Sequence, residues 1–411
     1  MKKKNYLILL LLLAGFYFRT EAAGADSLRL LKVKAIIKEV QQKYAPDKRT
    51  EIFNVSASTS DTSVLDIETT KPEALNALKE KFKLEKIAIQ LNERLLPAKD
   101  LGDQIFGVAN LSVCNNRLDP DNGAEMVTQV VLGTPVRILK KEHGYYLVQS
   151  PDRYISWTDD AGIIKMNETN LNAWLNAKKI VYIAEYGHAY KRATLKSMPV
   201  SDLVAGNIMK FIGKKHNFYK VSYPDGRIGF IPKKSGMMYQ NWVSRPNPSA
   251  DDILKRAKML NGVPYLWGGT SIKGIDCSGF TKTCYFLNGI IIPRDASQQA
   301  LVGEKVDIYE NDTVNINKCL KNLQAGDLLF FAAGKNRQPN PKITHTAIYM
   351  GNGEFIQSAG SVGINSIVPT SDIFDSFGSR TLVCARRILN SIGTPEISRV
   401  DQHPFYKPSS K

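Results

Sequence analysis

The chain has 411 residues, 43% of them hydrophobic and 23% charged, and a formal net charge of +16. That length exceeds one ordinary core and that balance excludes a disordered chain, so a folded α+β protein of two to four domains is expected. The basic excess calls for no nucleic acid, because no Lys/Arg run or nucleic-acid motif accompanies it, and it suits a protein meeting anionic envelope polymers equally well.

Met1-Lys2-Lys3-Lys4, an apolar run from Tyr6 to Phe18 and the small residues of Thr20 to Ala25 have the layout of a secretory signal peptide, assigned to residues 1–24. Phe16 stands where a lipidated Cys would have to follow Leu12-Leu13-Ala14-Gly15. The run is short for a membrane span, so no stable anchor is expected and the protein should be periplasmic or secreted. Losing Lys2, Lys3, Lys4, Arg19 and Glu21 with the leader leaves +13. The five cysteines, Cys114, Cys277, Cys284, Cys319 and Cys384, are odd in number, which leaves at least one thiol unpaired in an exported chain. With no CxxC pair and five dispersed histidines, neither a metal nor a cofactor is expected.

Apolar spacing predicts a helix over 27–44, a strand over 51–56, a helix from Pro72 through Phe82 and a strand over 86–91, which together form a small α+β unit over 27–100. From 101 to 245 the pattern changes to short alternating stretches between Gly, Pro, Asp and Asn turns, as in small β barrels. An internal repeat runs through it. Val131-Leu-Gly-Thr-Pro-Val-Arg-Ile aligns with Val204-Ala-Gly-Asn-Ile-Met-Lys-Phe at an offset of 73, and so do Tyr146 with Tyr219, Val148 with Val221, Pro151-Asp152 with Pro224-Asp225, Ile155 with Ile228 and Trp157 with Phe230. The shared pattern resembles bacterial SH3-like domains, and two are assigned, over 101–168 and 178–245. Arg245 to Ser249 reads as a linker, Ser249 as the N-cap of a new helix, residues 250–389 as a third domain, and 390–411 as a loosely held tail.

The chemistry concentrates in that third domain. Gly274-Ile-Asp-Cys-Ser-Gly-Phe280 leads into helical periodicity (Phe280, Cys284, Leu287), which puts Cys277 at a helix N-terminus, where thiolate is favoured for attack on an amide. The glycine-containing turns beside it would let the backbone approach a substrate. The histidine in the body of this domain is His345, on an alternating strand ahead of the turn Gly351-Asn352-Gly353. Folding that hairpin brings His345 opposite Gln357 or within two positions of it. Gln357 would then orient the imidazole, with Ser358 as competitor. The other four cysteines are assigned to core or incidental roles.

Pro264-Tyr-x-Trp-Gly-Gly, Asp276-Cys-Ser-Gly-Phe, Pro293-Arg-Asp-x-Ser297-Gln298, Ala325-Gly-Asp-Leu-Leu-Phe330 and His345-x-Ala-Ile-Tyr-x-Gly-x-Gly resemble the successive motifs of NlpC-type, papain-like cell-wall cysteine peptidases. With two SH3-like domains in front, the chain is similar to the γ-D-glutamyl-diamino-acid peptidases. The resemblance implies a papain-like α+β catalytic domain, Cys277 as nucleophile and His345 as base. It also implies Gln357 where the family usually has His, and Tyr265, Asp276, Ser278 and Ser297 around the substrate. Ala124-Glu125-Met-Val-Thr-Gln129 and Tyr154-Ile-Ser-Trp157 are similar to the segments from which that family takes Glu and Tyr to cap the site, so Glu125 and Tyr154 would meet a free α-amino group. The implied substrates are peptidoglycan-derived stem peptides, acted on by a monomer. The rival readings are an endopeptidase on intact wall, a non-catalytic wall-binding protein, which the Gln at position 357 alone favours, and an acyltransferase on the same dyad.

Overall fold

A computed structural model describes residues 28–58, 64–334, 341–376 and 378–408; the signal peptide assigned to 1–24 lies outside them. The chain divides into two compact units, Met1–Lys99 and Asp100–Lys411.

In the first unit a helix over 28–44 is followed by a sheet of Phe53–Ala57, Val64–Thr69 and Gln90–Leu95. The first pair is antiparallel and the second parallel, with helix Pro72–Leu84 as the crossover that a parallel pair requires. The helix starts on Pro72 with Glu73 in its first turn and buries Ala74, Leu75, Leu78 and Phe82 against Val33, Ile36 and Val40. The strand expected over 86–91 begins only at Gln90, because Lys86 adopts a left-handed conformation (φ 52°) that closes the helix. The middle strand, Val64–Thr69, was missed by sequence reading, although Leu65, Ile67 and Thr69 alternate as a strand should.

The second unit contains two seven-stranded sheets and a six-stranded one. In the first sheet the strands open at Phe106, Val113, Met126, Pro135, Tyr145, Ile155 and Ile163; in the second they open at Lys179, Tyr186, Pro199, Ile208, Phe218, Ile228 and Gly236. Each start lies 73 residues after its counterpart, and the strand order is the same in both. The turns agree too: His143 and His216 have φ 49° and 50°, and Gly133 and Gly206 have 83° and 89°. A helix that the sequence reading did not anticipate, Glu168–Asn176, is capped by Asn167 and links the repeats.

Ser249 forms a capping box with Asp252 and opens the helix Ala250–Met259. This helix and helix Cys277–Phe286 pack through Ile253, Leu260, Phe280 and Tyr285 against one face of an antiparallel sheet. The sheet runs in the order Glu304–Val306, Arg380–Arg387, Leu328–Ala333, Ile343–Gly351, Glu354–Ala359 and Ser361–Ser366. The run Leu328-Leu-Phe-Phe331 is apolar throughout because both faces are covered: Leu328 and Phe330 join the helices, while Leu329 and Phe331 pack with Cys319 and Leu323. Cys114, Cys284 and Cys319 are buried in such clusters and Cys384 packs against one.

The tail is not loose. Ser398–Arg399 pairs with Ile290–Ile291, and Val400 and Tyr406 are buried with Trp242, Ile208 and Ile291. Arg399 donates to the carbonyls of Val243 and Arg245 and to Asn247 Oδ1. Apolar residues thinly spaced among Gly and Pro gave no periodic signal, yet they suffice to pin an extended segment. No helix among the described residues is long and apolar enough to cross a membrane.

Candidate active site

Cys277 is the first residue of helix Cys277–Phe286, and Asp276 is its N-cap. The Asp276 carboxylate accepts five hydrogen bonds: from the N–H of Gly279 (2.6 Å) and Gly268 (2.9 Å), from Ser278 Oγ (3.3 Å), and from both terminal nitrogens of Arg294 (3.2 and 2.6 Å). Arg294 is itself fully buried and also donates to Ser278 Oγ (2.9 Å) and Thr128 Oγ1 (2.8 Å). Two oxygens so saturated have little left for a substrate ammonium, so Asp276 positions the helix. The helix start does not make Cys277 a resting thiolate. Burial and the neighbouring Asp276 charge push the thiol up to about 11, against the opposing effects of the Thr346 and Ser278 N–H groups and Arg294.

His345 is buried on strand Ile343–Gly351, against which the Cys277 helix packs. Its Nε2 lies 2.7 Å from Gln357 Oε1. The amide orientation follows from its other partners: Gln357 Nε2 donates to Asn365 Oδ1 (2.9 Å) and Asp375 Oδ2 (3.3 Å), while Arg380 donates to Oε1 (3.3 Å). An oxygen facing Nε2 can only accept, so the neutral imidazole carries its proton on Nε2 and leaves Nδ1 as the proton acceptor. Burial and the charge of Arg380 push His345 down to about 4, outweighing Gln357 and Asp375. Ser358 is not the partner, since its hydroxyl donates to the Ile275 carbonyl (2.8 Å).

Cys277 opens into a cleft of about 510 Å³ shared between the catalytic domain and the first repeat. Tyr265, Asp276, Ser278 and Ser297 line it, together with Glu125 and Tyr154 of the first repeat, so all of these residues meet at one place. Burial and the nearby Cys277 push the Tyr265 hydroxyl up. Trp267 Nε1 donates to Glu125 Oε1 (2.7 Å), and the buried Tyr154 reaches Asp295 Oδ2 (3.4 Å). Trp267, Asp295 and Lys342 also line the cleft but had no role in the sequence reading. The signal for Trp267 and Asp295 was present, since both fall inside quoted motifs, but their partners lie 142 and 141 residues away.

The two domains are held in register by a tight seam. Thr270 N–H donates to Gln129 Oε1 (2.8 Å), and Lys282, on the Cys277 helix, pairs with the buried Asp152, which also accepts from Ser150 and the Tyr154 N–H. Gly268 has φ 77°, and a Cβ there would sit 2.4 Å from the Met126 carbonyl; at Gly279 it would sit 2.0 Å from the Gly269 carbonyl. These glycines therefore serve backbone-to-backbone packing, not the approach of a substrate. At the far side Lys273 Nζ reaches Asp202 Oδ2 (2.6 Å) and Ser112 Oγ (2.9 Å), joining both repeats to the catalytic domain. Among the described residues no group of His, Cys, Asp or Glu is arranged to hold a metal ion.

A thiol at a helix start, a histidine pinned by a side-chain amide on the adjacent strand, and an antiparallel sheet behind them define a papain-like cysteine peptidase. Residues 262–387 match the NlpC/P60 family and residues 117–163 match the bacterial dipeptidyl-peptidase Sh3 domain, so the chain carries an NlpC/P60 cysteine-peptidase domain behind an Sh3 domain of that kind. It is 29% identical over 266 residues to the gamma-D-glutamyl-L-lysine dipeptidyl-peptidase of Bacillus cereus, covering 60% of this chain and 72% of the relative. It is 26% identical over 269 residues to dipeptidyl-peptidase 6 of Lysinibacillus sphaericus, covering 62% and 89%. A crystal structure of an NlpC/P60 family protein from Bacillus cereus shares the fold, with a TM-score of 0.57 at 24% identity over 69% of this chain and 99% of that one.

Proposed function

We propose that this chain hydrolyses the amide between γ-D-glutamate and the following diamino acid, diaminopimelate or lysine, in short peptidoglycan stem peptides with a free N-terminal L-Ala. Cys277 Sγ attacks the γ-carbonyl carbon as His345 Nδ1 takes the thiol proton. The imidazolium then returns that proton to the departing amine, leaving a thioester on Cys277. Water, deprotonated by the same imidazole, releases the acid and regenerates the thiol. Gln357 holds Nε2 and so leaves Nδ1 as the acceptor, but it stabilises the imidazolium less than a charged or ionisable partner would. The bond class is supported by the name of the Bacillus cereus relative, a gamma-D-glutamyl-L-lysine dipeptidyl-peptidase, and release of a dipeptide by the names of both relatives.

The observation that carries the substrate reading is the first repeat's closure of the cleft beside Cys277. Glu125 keeps one carboxylate oxygen on Trp267 and would offer the other to an ammonium, while the Tyr154–Asp295 pair lines the same cleft. Such an end wall suits a short peptide and not a sugar-linked stem. The signal-peptide-like pattern over residues 1–24 supports export to the periplasm or medium, and a single chain supplies all the residues that line the cleft, which suits a monomer.

The test compares kcat/KM for free and N-acetylated L-Ala-γ-D-Glu-diaminopimelate in the wild type and in Glu125→Ala. Glu125 is solvent-exposed, so its pairing is worth about one or two kcal/mol once substrate covers it, and the free peptide should be preferred roughly tenfold or more. Glu125→Ala should narrow that gap. Equal rates on both peptides by the wild type would overturn the closed-end reading in favour of an endopeptidase on intact wall.

A further inference from the structure

A neutral amide behind a catalytic histidine brings a difficulty that a carboxylate or a second imidazole does not. An amide has a donor end and an acceptor end, and Gln357 turned over would present an N–H to Nε2. The imidazole would then keep its proton on Nδ1, the atom that has to take the thiol proton, and an imidazolium would face a donor. Asn365 does not settle the choice, because one amide can turn over together with its neighbour. Two charged groups do settle it. Arg380 only donates and lies on Gln357 Oε1 (3.3 Å), whereas the Asp375 carboxylate only accepts and lies on Gln357 Nε2 (3.3 Å). Their charges act oppositely on the reaction. Burial and Arg380 depress His345, while Gln357, Asp375 and Asp276 support its cation. Asp276 is committed to Arg294 and the helix start, so behind the ring Asp375 is the group that both orients the amide and favours imidazolium. The sheet edge puts it there. Ser366, which ends the edge strand, donates its N–H to the Ile373 carbonyl (2.9 Å), and Asp375 donates its N–H to the Ser366 carbonyl (3.0 Å). Gln357 pairs with Gly363 on that strand, and Asn365 follows two positions on, on the same face.

We propose that Asp375 is a positioning residue of this peptidase: acting through Gln357, it keeps Oε1 turned to His345 and sets a negative charge one amide behind the imidazolium that forms when Cys277 gives up its proton. The chain runs from imidazole N–H to amide carbonyl and from amide N–H to carboxylate, so every bond points the same way and the bonds reinforce one another. No proton travels along it. Nε2 keeps its hydrogen, Asp375 stays a carboxylate, and the thiol proton goes to Nδ1 and on to the departing amine. Gln357 and Asp375 thus supply in two pieces what one ionisable side chain at position 357 would supply alone. Asp375 has this role only if His345 serves Cys277 as base, as in the hydrolysis assigned above.

The experiment compares the wild type with Asp375→Asn and Asp375→Ala, each also combined with Arg380→Ala, in the full chain. It reads kcat and KM on free L-Ala-γ-D-Glu-diaminopimelate and the nitrogen-15 NMR signals of the His345 ring at pH 7, identified by their absence from His345→Ala. The wild-type ring should carry its proton on Nε2. Both Asp375 variants should lower kcat roughly fivefold with KM within about twofold. Arg380→Ala alone should keep the Nε2 tautomer, because Asp375 still holds the amide. Arg380→Ala with Asp375→Asn removes both holds, and the Nδ1–H tautomer should appear beside it. Asp375→Asn keeps the shape of the side chain and reads the role by itself if Asp375→Ala loosens the loop. A wild-type ring protonated on Nδ1, an unchanged kcat in both Asp375 variants, a loss shared between kcat and KM with a lowered melting temperature, or a double variant that keeps the Nε2 tautomer alone would each overturn the proposal. A wild type that leaves this peptide uncut would instead count against the substrate, and the ring signals would still decide the role of Asp375.

Discussion

Burial moves Cys277 and His345 in opposite directions, the thiol up to about 11 and the imidazole down to about 4, so in the free enzyme both are neutral near pH 7. A neutral imidazole is the active base and is lost only as pH falls through about 4, so kcat/KM should hold to about pH 5 and fall below that. Arg380 helps depress His345; Arg380→Ala should raise the histidine's pKa and shift the acid limb of the profile to higher pH. An unmoved limb would remove Arg380 from the electrostatics of the dyad. Alkylation of Cys277 by iodoacetamide should be slow at pH 7 and accelerate toward pH 11; fast neutral alkylation would instead reveal a preformed ion pair. Cys277→Ala should abolish turnover, and His345→Ala should cost on the order of 10²–10⁴-fold. Gln357→Ala should cost roughly tenfold, with Gln357→His retaining or raising the rate, all read as kcat/KM on the free tripeptide. The placement of Cys277 at a helix start and of His345 beside Gln357 was legible because each lies in a local motif or a short hairpin. The inward role of Asp276 was not, because its donors are spread from Gly268 to Arg294 and only folding assembles them.

At the scale of elements, the seam between the first repeat and the Cys277 helix sets where Tyr154 stands. Burial pushes the Asp152 carboxyl up, but Lys282 overrides it and holds the group below the ordinary range. The pair therefore contributes stability above about pH 4 that is lost as pH falls through the depressed folded value. Lys282→Met leaves Asp152 buried and unpaired and should cost about 3–5 kcal/mol at pH 7, seen as a lowered melting temperature, with the deficit shrinking toward pH 3 as Asp152 is neutralised. A deficit constant with pH would assign the loss to packing. Gly268→Ala should cost activity through displacement of the seam, because φ 77° and the Met126 carbonyl both exclude a side chain. The strong periodic elements were legible, and the repeat was legible down to its turns. The strand Val64–Thr69 and helix Glu168–Asn176 escaped because each is short and only half buried.

Across the whole molecule, the tail closes a circuit from the catalytic domain back to the second repeat. Ending the chain at residue 397 removes the partner of Ile290–Ile291 and opens the cluster around Trp242. The shortened protein should melt at lower temperature and be cleaved by protease near Val243–Arg245, while turnover at low temperature persists. Full resistance at that link would show the tail to be dispensable. This circuit was hidden from sequence because its contacts join residues more than 100 positions apart.

The two copies of this segment keep a spacing of 73 residues at every strand start, with no net insertion or deletion between them. Each position in one copy therefore has an address in the other: Glu125 corresponds to Met198, Tyr154 to Arg227, and Tyr190 to Arg117. The same scaffold therefore carries cleft residues in the first copy and different residues at the same addresses in the second. The joints for a chimaera are consequently already defined, at Gly133 and Gly206, where the halves of the two copies can be exchanged without adjusting a single turn length.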